Sequence, residues 1–164
     1  MYISLDYYKT LYDTIDERTF NNLSFEACRM MDVHTTGIDN IKKLKRFFPT
    51  DTDSVEAVKH CAAKLVNTLH QIQQAEASAA MGRGYIQTEQ GLRGKIVSRV
   101  EAGNEAVSYS ETKSANTEID AAAADRTVRN RLLTGIIRDC LAGVSDRNGV
   151  CLLYMGVYPR RYLC

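Results

Sequence analysis

The cysteines and histidines are the residues of this chain that could ligate a metal or act as nucleophiles. No two cysteines form a C-x-x-C pair, and no histidine lies at metal-ligand spacing from them, so we expect no zinc site. Cys28, Cys61 and Cys140 fall within helical patterns, where a free cysteine acts as a small apolar core residue in a reducing compartment. Cys61 and Cys140, on two different helices, could come close enough to bridge. The full set is Cys28, Cys61, Cys140, Cys151, Cys164, His34, His60 and His70.

The sequence contains no other pattern typical of a catalytic site. It offers no Ser-His-Asp or Cys-His set, and no carboxylate pair in a general acid-base context. Gly82-Arg83-Gly84 could suggest a phosphate-binding turn, but the Lys-Ser/Thr continuation of a P-loop is missing and no parallel strands surround it. We therefore predict that the protein is not an enzyme and needs no cofactor.

Charge and hydropathy exclude further classes. With 21 basic and 20 acidic residues, the formal net charge is +1, whereas proteins that grip nucleic acid usually carry a clear basic excess. A membrane-surface role is disfavoured for the same reason. No apolar run approaches the roughly 20 residues of a bilayer span, and the N-terminus lacks the features of a signal peptide. We expect a soluble protein made in the cytoplasm.

One basic segment, Ile41 to Phe48, keeps a nucleic-acid alternative open. Its cations are Lys42, Lys43, Lys45 and Arg46. They could contact phosphates, which motivates the alternative of a DNA-binding helical regulatory protein. A solvated helix face around Ile41, Leu44 and Phe48 is the favoured interpretation, because no interleaved aromatics of the single-strand-binding kind support a patch.

Helical periodicity dominates the rest of the chain, and 164 residues suffice for one core, so we predict a single domain over residues 1–164. The fold class predicted is mainly α, a bundle of four to five helices with one inserted β-hairpin. Ser4 can cap a short helix through Tyr12, and Asp16 precedes a helix that reaches His34. A long helix runs from a cap at Thr50 to Ser54 to about Ala77. Its predicted partner runs from a cap near Ser114 or Asn116 to Ala142, where Gly143 ends it.

The hairpin is predicted over Lys95 to Glu111, where apolar and polar residues alternate on both sides of the turn Ala102-Gly103-Asn104-Glu105. The preceding Ser78 to Gly94 holds four glycines and is predicted to be a mobile loop. Loop and hairpin together form an excursion over residues 78–113. A lone hairpin is marginal in water and exposes unpaired edges. Either the hairpin lies back on its own helices, or neighbouring copies of the chain cover its edges.

The C-terminal tail, residues 150–164, has an apolar part followed by a part with two arginines and two tyrosines. Tyrosine and arginine are enriched where partners are gripped, and a frayed terminus is the equally weighted alternative.

The order of these parts resembles the head-tail connector proteins, also called adaptor or head completion proteins, of long-tailed bacteriophages and prophages. The resemblance covers nearly the whole chain and depends on this order. It comprises the tyrosine-rich start MYISLDYYKTLY, the segment Phe47-Phe48-Pro49-Thr50, the long helix, the glycine loop, the hairpin end Ala106-Val107-Ser108-Tyr109-Ser110-Glu111, the final helix, and Leu152-Leu153-Tyr154-Met155-Gly156-Val157.

The resemblance implies a structural virion protein at the head-tail interface, assembled in the bacterial cytoplasm. Such subunits form a ring, usually a dodecamer, beneath the portal protein. The ring extends the DNA channel, helps retain packaged DNA without sequence-specific binding, and offers a surface to the next connector or tail-completion protein.

Residue roles carry over from this resemblance to two segments. Contact with the next subunit or with the channel falls on Lys95, Val97, Arg99, Glu101, Asn104, Val107 and Tyr109. Portal docking falls on Tyr158, Arg160, Arg161 and Tyr162. The tail departs from the family pattern, because it continues past Val157 with an arginine pair and a terminal cysteine.

Overall fold

The structure is a computed structural model that describes residues 1–12, 15–81, 84–88, 91–95, 97–100, 107–109 and 117–162. It is mainly helical, which confirms the predicted fold class at that level. The helices are α1 Leu5–Leu11, α2 Glu17–His34, α3 Lys43–Arg46, α4 Thr52–Met81, α5 Thr117–Ala124 and α6 Arg126–Leu141, with a 3-10 turn at Arg160–Tyr162. The chain divides into two units. The first comprises Met1–His70 with Asn130–Cys164, and the second comprises Gln71–Arg129.

Short side chains cap the first helices where the sequence predicts them. Ser4 Oγ accepts a hydrogen bond from the Tyr7 N–H at 3.2 Å, and Asp16 Oδ2 accepts one from Thr19 at 2.8 Å. Asp51 Oδ1 accepts one from the Ser54 N–H at 2.8 Å, at the start of α4. Each oxygen satisfies an N–H that has no partner within its helix. The predicted starts of α1, α2 and α4 are confirmed.

The first unit has one apolar core, built from the buried stripes of its helices. The period of three and four residues in α2 predicts a stripe of Phe20, Leu23, Ala27, Met30 and His34. Its first three residues are buried, Met30 and His34 are half-buried, and the buried stripe ends at Met31 instead. Residues three and four apart share a helix face, so one stripe faces the core along the whole helix. Its other large members include Ile3, Tyr8, Ile15, Leu44, Val58, Leu65, Val66, Leu69, Leu133, Ile136, Ile137, Leu141 and Leu152.

The last helical stretch was predicted as one helix, and this was wrong. It consists of α5 and α6, separated at Asp125. Asp125 Oδ1 accepts a hydrogen bond from the Thr127 N–H at 2.6 Å, so this residue caps a new helix. Apolar periodicity alone does not reveal such a break. The predicted stop is confirmed, since Gly143 adopts a φ of +76°, which glycine tolerates best.

The second unit holds the end of α4, four strand segments and α5. The strands pair antiparallel, β1 Gly84–Thr88 with β2 Gly91–Lys95, and β3 Val97–Val100 with β4 Val107–Tyr109. The loop predicted from Ser78 was wrong for its first residues, because α4 continues to Met81 through an alanine-rich stretch of high helix propensity. The remainder of that predicted loop contains β1 and β2.

The hairpin predicted over Lys95 to Glu111 stays a prediction as a whole. Its turn, Ala102-Gly103-Asn104-Glu105, lies outside the described residues. Strands β3 and β4 place Val100 opposite Val107 and Arg99 opposite Ser108, with an irregularity between Val97 and Arg99. The assignments of a single domain, of an excursion over residues 78–113 and of a docking tail over residues 150–164 also stay predictions.

Candidate functional site

A groove of about 860 Å³ opens on the first unit, between the N-terminal segment, α2, α3 and the start of α4. Its apolar lining includes Tyr2, Phe25, Val33, Leu44 and Phe48, and its charged lining is Arg29, Asp32, Lys42, Lys45 and Lys59. We call it the α2–α3 groove. Its size falls within the range usual for ligand sites, and its mixture of apolar and polar walls is typical of them.

Tyr2 organises the floor of the α2–α3 groove. Its ring stacks on Phe48, with centroids 5.7 Å apart, and its hydroxyl donates to Asp32 Oδ1 at 2.5 Å. Its backbone N–H donates to Cys28 Sγ at 3.4 Å. Burial, followed by the hydrogen bond to Asp32, raises the pKa of Tyr2 well above its usual range. Tyr2 therefore stays neutral, and its hydroxyl occupies Oδ1 of Asp32 as a hydrogen-bond donor.

The charge of the groove is strongly unbalanced. Among the described side chains that line the groove, four are cations and one is a carboxylate, Asp32, which already accepts the Tyr2 hydroxyl. Lys59 pairs with Glu56 at 3.5 Å. Within the described part of the chain, no carboxylate pairs with Arg29, Lys42 or Lys45. The groove therefore has a positive potential that favours an anionic occupant.

Tyr158 holds the C-terminal tail against the body of the first unit. It is 2% exposed and stacks on Phe47 with ring centroids 4.6 Å apart. Its hydroxyl donates to Asp146 Oδ2 at 2.5 Å and accepts from Asn148 Nδ2 at 2.9 Å. Its N–H donates to Asp39 Oδ2 at 2.6 Å and holds the pKa of Asp39 below its usual range. We call these five residues the tail clasp.

The tail clasp corrects part of the docking assignment. Tyr158 was predicted to dock the portal, but its burial makes it a core residue that cannot reach a partner's surface. Arg160 and Arg161 are exposed, and Tyr162 is half-buried with its ring 6.4 Å from that of Tyr158. The arginines remain candidates for a surface contact. The docking prediction came from the family resemblance, and neither a resemblance in the order of motifs nor residue types reveal which tyrosine is buried.

An apolar surface lies beside the clasp, and no sequence pattern predicted it as an exposed site. The Ile38 N–H donates to the Met155 carbonyl at 3.0 Å and joins the loop after α2 to the tail. Ile38, Tyr154, Met155 and Val157 are 73%, 49%, 52% and 57% exposed. We call these residues the tail patch. Clustered exposed apolar side chains mark interaction sites more often than scattered ones do.

Lys43 corrects the interpretation of the basic segment. It is 1% exposed, and its Nζ donates to the carbonyls of Cys151 and Tyr154. Burial lowers its pKa. Lys43 therefore neither contacts phosphate nor belongs to a solvated face. Helix α3 has only four residues, and Lys42, Lys45 and Arg46 are the exposed cations of the segment.

The predicted hairpin residues divide into two groups. Lys95 ends β2, Val97 and Arg99 lie in β3, and Val107 and Tyr109 lie in β4. Glu101 and Asn104 lie outside the described residues. Strand pairing places Val97 opposite Tyr109, which lies on the other strand of the pair. Their assigned contacts with sister subunits or with the channel stay predictions.

Cys61 on α4 and Cys140 on α6 both belong to the core region of the first unit, and both are free thiols. A hydrogen bond from Cys61, with Lys64 and His60 nearby, lowers the pKa of Cys140 below its usual range. A thiol with a lowered pKa keeps its reactive thiolate as the pH falls. The proximity of the two cysteines that the sequence left open is consistent with this hydrogen bond.

We expect Cys140 to retain its alkylation rate better than exposed Cys151 when the pH falls from about 8.5 to about 6.5, because its thiolate persists at lower pH. Iodoacetamide labelling of the folded protein, followed by peptide mass spectrometry, measures both rates in one sample. In the Cys61→Ala variant the hydrogen bond is lost, and the pH dependence of Cys140 labelling should become steeper than in the unsubstituted protein. An equally steep dependence of both cysteines in the unsubstituted protein would contradict the lowered pKa.

Two classes of site find no support in the part of the chain that the structure describes. It contains no group of three or more histidine, cysteine or acidic side chains arranged to hold a metal ion. None of its described helices combines the length and apolar character needed to cross a membrane.

The chain matches no protein-family model, no curated protein and no solved structure.

Proposed function

We propose that this protein is a structural virion subunit that forms a ring between the portal and the tail of a long-tailed phage or prophage. The order of sequence motifs that resembles the head-tail connectors supports this proposal, and so does a mainly helical fold. In this proposal the ring extends the DNA channel, helps retain packaged DNA and offers the surface to which the tail attaches. The protein then has no catalytic role.

The observation that carries the proposal is that the first unit presents two different surfaces suited to contact. One is the tail patch, which is apolar and exposed. The other is the α2–α3 groove, which is lined by other residues. A closed ring is built from heterologous contacts, in which one surface of a subunit meets a different surface of the next. A protein with a single self-complementary patch would form a two-fold dimer instead.

The hairpin and the tail arginines complete the proposed assembly. Strands β3 and β4 form a two-stranded sheet, and two strands alone leave outer edges for another chain to cover. In the proposal, a sister subunit covers these edges. The residues that contact the next subunit or the channel are Lys95, Val97, Arg99, Glu101, Asn104, Val107 and Tyr109. Arg160 and Arg161 contact the portal, whereas Tyr158 holds the tail that carries them.

The balance of charge fits a channel through which DNA slides. Each retained phosphate contact adds a salt-dependent attachment, and a ring multiplies every such contact by its number of subunits. The segment from residue 82 to 111, which the proposal places at the channel or the next subunit, carries four basic and four acidic residues, so few of its cations are left over for phosphate. The partners in the proposal are other copies of the chain, the portal, the next connector or tail-completion protein, and DNA in transit.

Electron microscopy and light scattering of the purified protein, alone and with portal, test the proposal. We expect annular particles whose fraction rises with concentration. Met155→Asp and Val157→Asp, which place carboxylates in the tail patch, should shift the midpoint of assembly by about tenfold or more in concentration, because a desolvated charge opposes the contact. The control is Leu11→Asp, an apolar residue of α1 that is 42% exposed.

One result would count against the tail patch, and another would count against the connector proposal as a whole. Rings that form equally well in the tail-patch variants would remove the tail patch from the interface. A protein that stays monomeric at high concentration and never associates with portal would overturn the connector proposal.

Arg29, Lys42 and Lys45, which pair with no carboxylate in the described ranges, and the exposed Arg46 favour one alternative, a DNA-binding regulatory protein. Duplex affinity that falls steeply with salt, together with a monomeric or dimeric state, would favour it over the ring. The burial of Lys43 removes one of the four cations on which this alternative depended.

A further inference from the structure

The α2–α3 groove has a chemistry that ring formation by itself does not explain. We propose that it is a docking site for an acidic, amphipathic helical segment of a partner protein, whose apolar side chains enter the groove and whose carboxylates meet Arg29, Lys42 and Lys45. The proposed function uses the groove as one of its two contact surfaces; this inference goes beyond it by giving the groove a different occupant, and it can hold even if the ring proposal fails.

Charge complementarity is the first argument for this occupant. Arg29, Lys42 and Lys45 line the groove, and none of them pairs with a carboxylate in the described ranges. The carboxylate of Asp32 accepts the Tyr2 hydroxyl at 2.5 Å. A positively charged patch attracts a negatively charged partner, speeds the encounter and suppresses wrong partners. The occupant must therefore supply several carboxylates.

The arrangement of apolar side chains is the second argument. Phe25 and Val33 are 71% and 58% exposed, and Arg29 lies midway between them on α2. Residues four apart lie on one helix face, so these three form a line along α2 with a cation between two apolar side chains. The half-buried Phe48 adds apolar surface from the segment after α3, whereas Leu44, which also lines the groove, is buried in the core. This apolar–cation–apolar line along α2 is complementary to a partner helix that carries apolar residues at three- and four-residue steps and acidic residues beside them.

Nucleic acid fits this groove less well than a peptide does. Phosphate and sugar contacts account for most hydrogen bonds between proteins and DNA, and they would satisfy the cations alone. Phe25 and Val33 would gain little from a sugar-phosphate backbone. Burying an apolar side chain stabilises a complex only when another apolar surface covers it. The groove places cations next to exposed apolar side chains, and an acidic amphipathic segment can contact both.

Fluorescence anisotropy with a designed probe tests the proposal. The probe is a labelled, N-acetylated, C-amidated peptide of about fifteen residues, with leucine at three- and four-residue steps, glutamate at the flanking positions and alanine elsewhere. One matched peptide carries lysine in place of every glutamate, and another carries serine in place of every leucine. We expect the acidic leucine peptide to bind at least about tenfold more tightly than either match, and its affinity to fall as salt rises.

Variants of the folded, full-length chain locate the binding. Lys45→Glu and Arg29→Glu should each weaken the acidic peptide by about tenfold or more, and Phe25→Ser should weaken it by about as much. The control is Arg138→Glu, which makes the same charge change at an exposed position of α6 outside the groove lining. Circular dichroism melts of every variant show whether the fold is kept.

Each outcome decides the question. No binding of the acidic leucine peptide up to millimolar concentration overturns the proposal, and so does equal binding of the lysine peptide or equal loss in the control variant. Duplex DNA that binds and is lost in Lys45→Glu, while the peptide does not bind, overturns it in favour of nucleic acid. Ring assembly of Lys45→Glu is measured in parallel. Peptide binding lost while rings persist would support the docking site and would remove the groove from the contacts between ring subunits.

Discussion

Replacing Tyr158 by alanine should lower the free energy of unfolding by about 3–5 kcal/mol, the usual cost of deleting a large buried aromatic side chain. The ring is stacked on Phe47 and is 2% exposed, so its removal leaves a cavity that the stacked partner cannot fill. The Asp146 carboxylate would also lose its hydroxyl donor inside the protein. Because this clasp holds the segment that carries Met155 and Val157, the variant should also lose ring assembly.

Urea unfolding at equilibrium, followed by circular dichroism, measures this change. Tyr158→Phe keeps the ring and removes only the hydroxyl, so we expect a smaller loss of about 1–3 kcal/mol. Tyr154→Ala, at a position 49% exposed, is the control and should stay within about 0.5 kcal/mol. A Tyr158→Ala protein as stable as the control variant would show that the tail is not anchored through this residue.

The pH dependence of the same proteins provides an independent check. Burial, followed by the hydrogen bond to Asp146, raises the pKa of Tyr158 to about 12, compared with about 10 for an unfolded tyrosine. The raised pKa means that this hydroxyl's contribution is complete below about pH 10 and is lost as the pH rises through about 12. Tyr158→Phe should lack that component. An identical loss of stability above pH 10 in both proteins would contradict the assigned hydrogen bond.

Replacing Lys43 by methionine should lower the free energy of unfolding by about 2 kcal/mol, because it leaves acceptors inside the protein without their donor. Methionine keeps a similar length and fills the same space, so the change isolates the ammonium group. That group donates to the carbonyls of Cys151 and Tyr154, more than a hundred residues away in sequence. The contact joins the basic segment to the tail.

The matched control is Lys45→Met on the same short helix, where the lysine is exposed and the effect should be within about 0.5 kcal/mol. Thermal melts of both variants, with amide hydrogen exchange of residues 150–157, measure the result. Exchange in the tail should accelerate in Lys43→Met and stay unchanged in Lys45→Met. Equal stability of the two variants would show that the buried ammonium contributes nothing to holding the tail.

Several parts of the fold could be predicted because their causes are local. The caps at Ser4, Asp16 and Asp51 depend on a side-chain oxygen and an N–H three residues later. The buried stripe of α2 follows from a period of three and four residues, and Gly143 ends α6 because glycine tolerates its positive φ. The break at Asp125 is also local, but an apolar pattern that continues through it concealed the cap.

The candidate sites needed the tertiary structure. Phe25 and Val33 follow a readable four-residue spacing, yet that spacing does not show that they face a basic segment rather than a core. The family resemblance predicted that Tyr158 would be a docking residue, and its hydrogen bonds to Asp39 and Asp146 make it part of the tail clasp. Residue types also predicted that Lys43 would lie on a surface, and the carbonyls of the tail surround its ammonium group instead.

By itself, the sequence determined the helical class, the starts of the early helices and the absence of a familiar catalytic motif, because capping, periodicity and spacing act over a few residues. Only the tertiary structure decided which tyrosine and which lysine are buried, and which apolar residues form the tail patch and the α2–α3 groove. The physical reason is that burial depends on contacts between segments far apart in the chain. The contact of Lys43 with Tyr154 spans 111 residues, and that of Asp39 with Tyr158 spans 119.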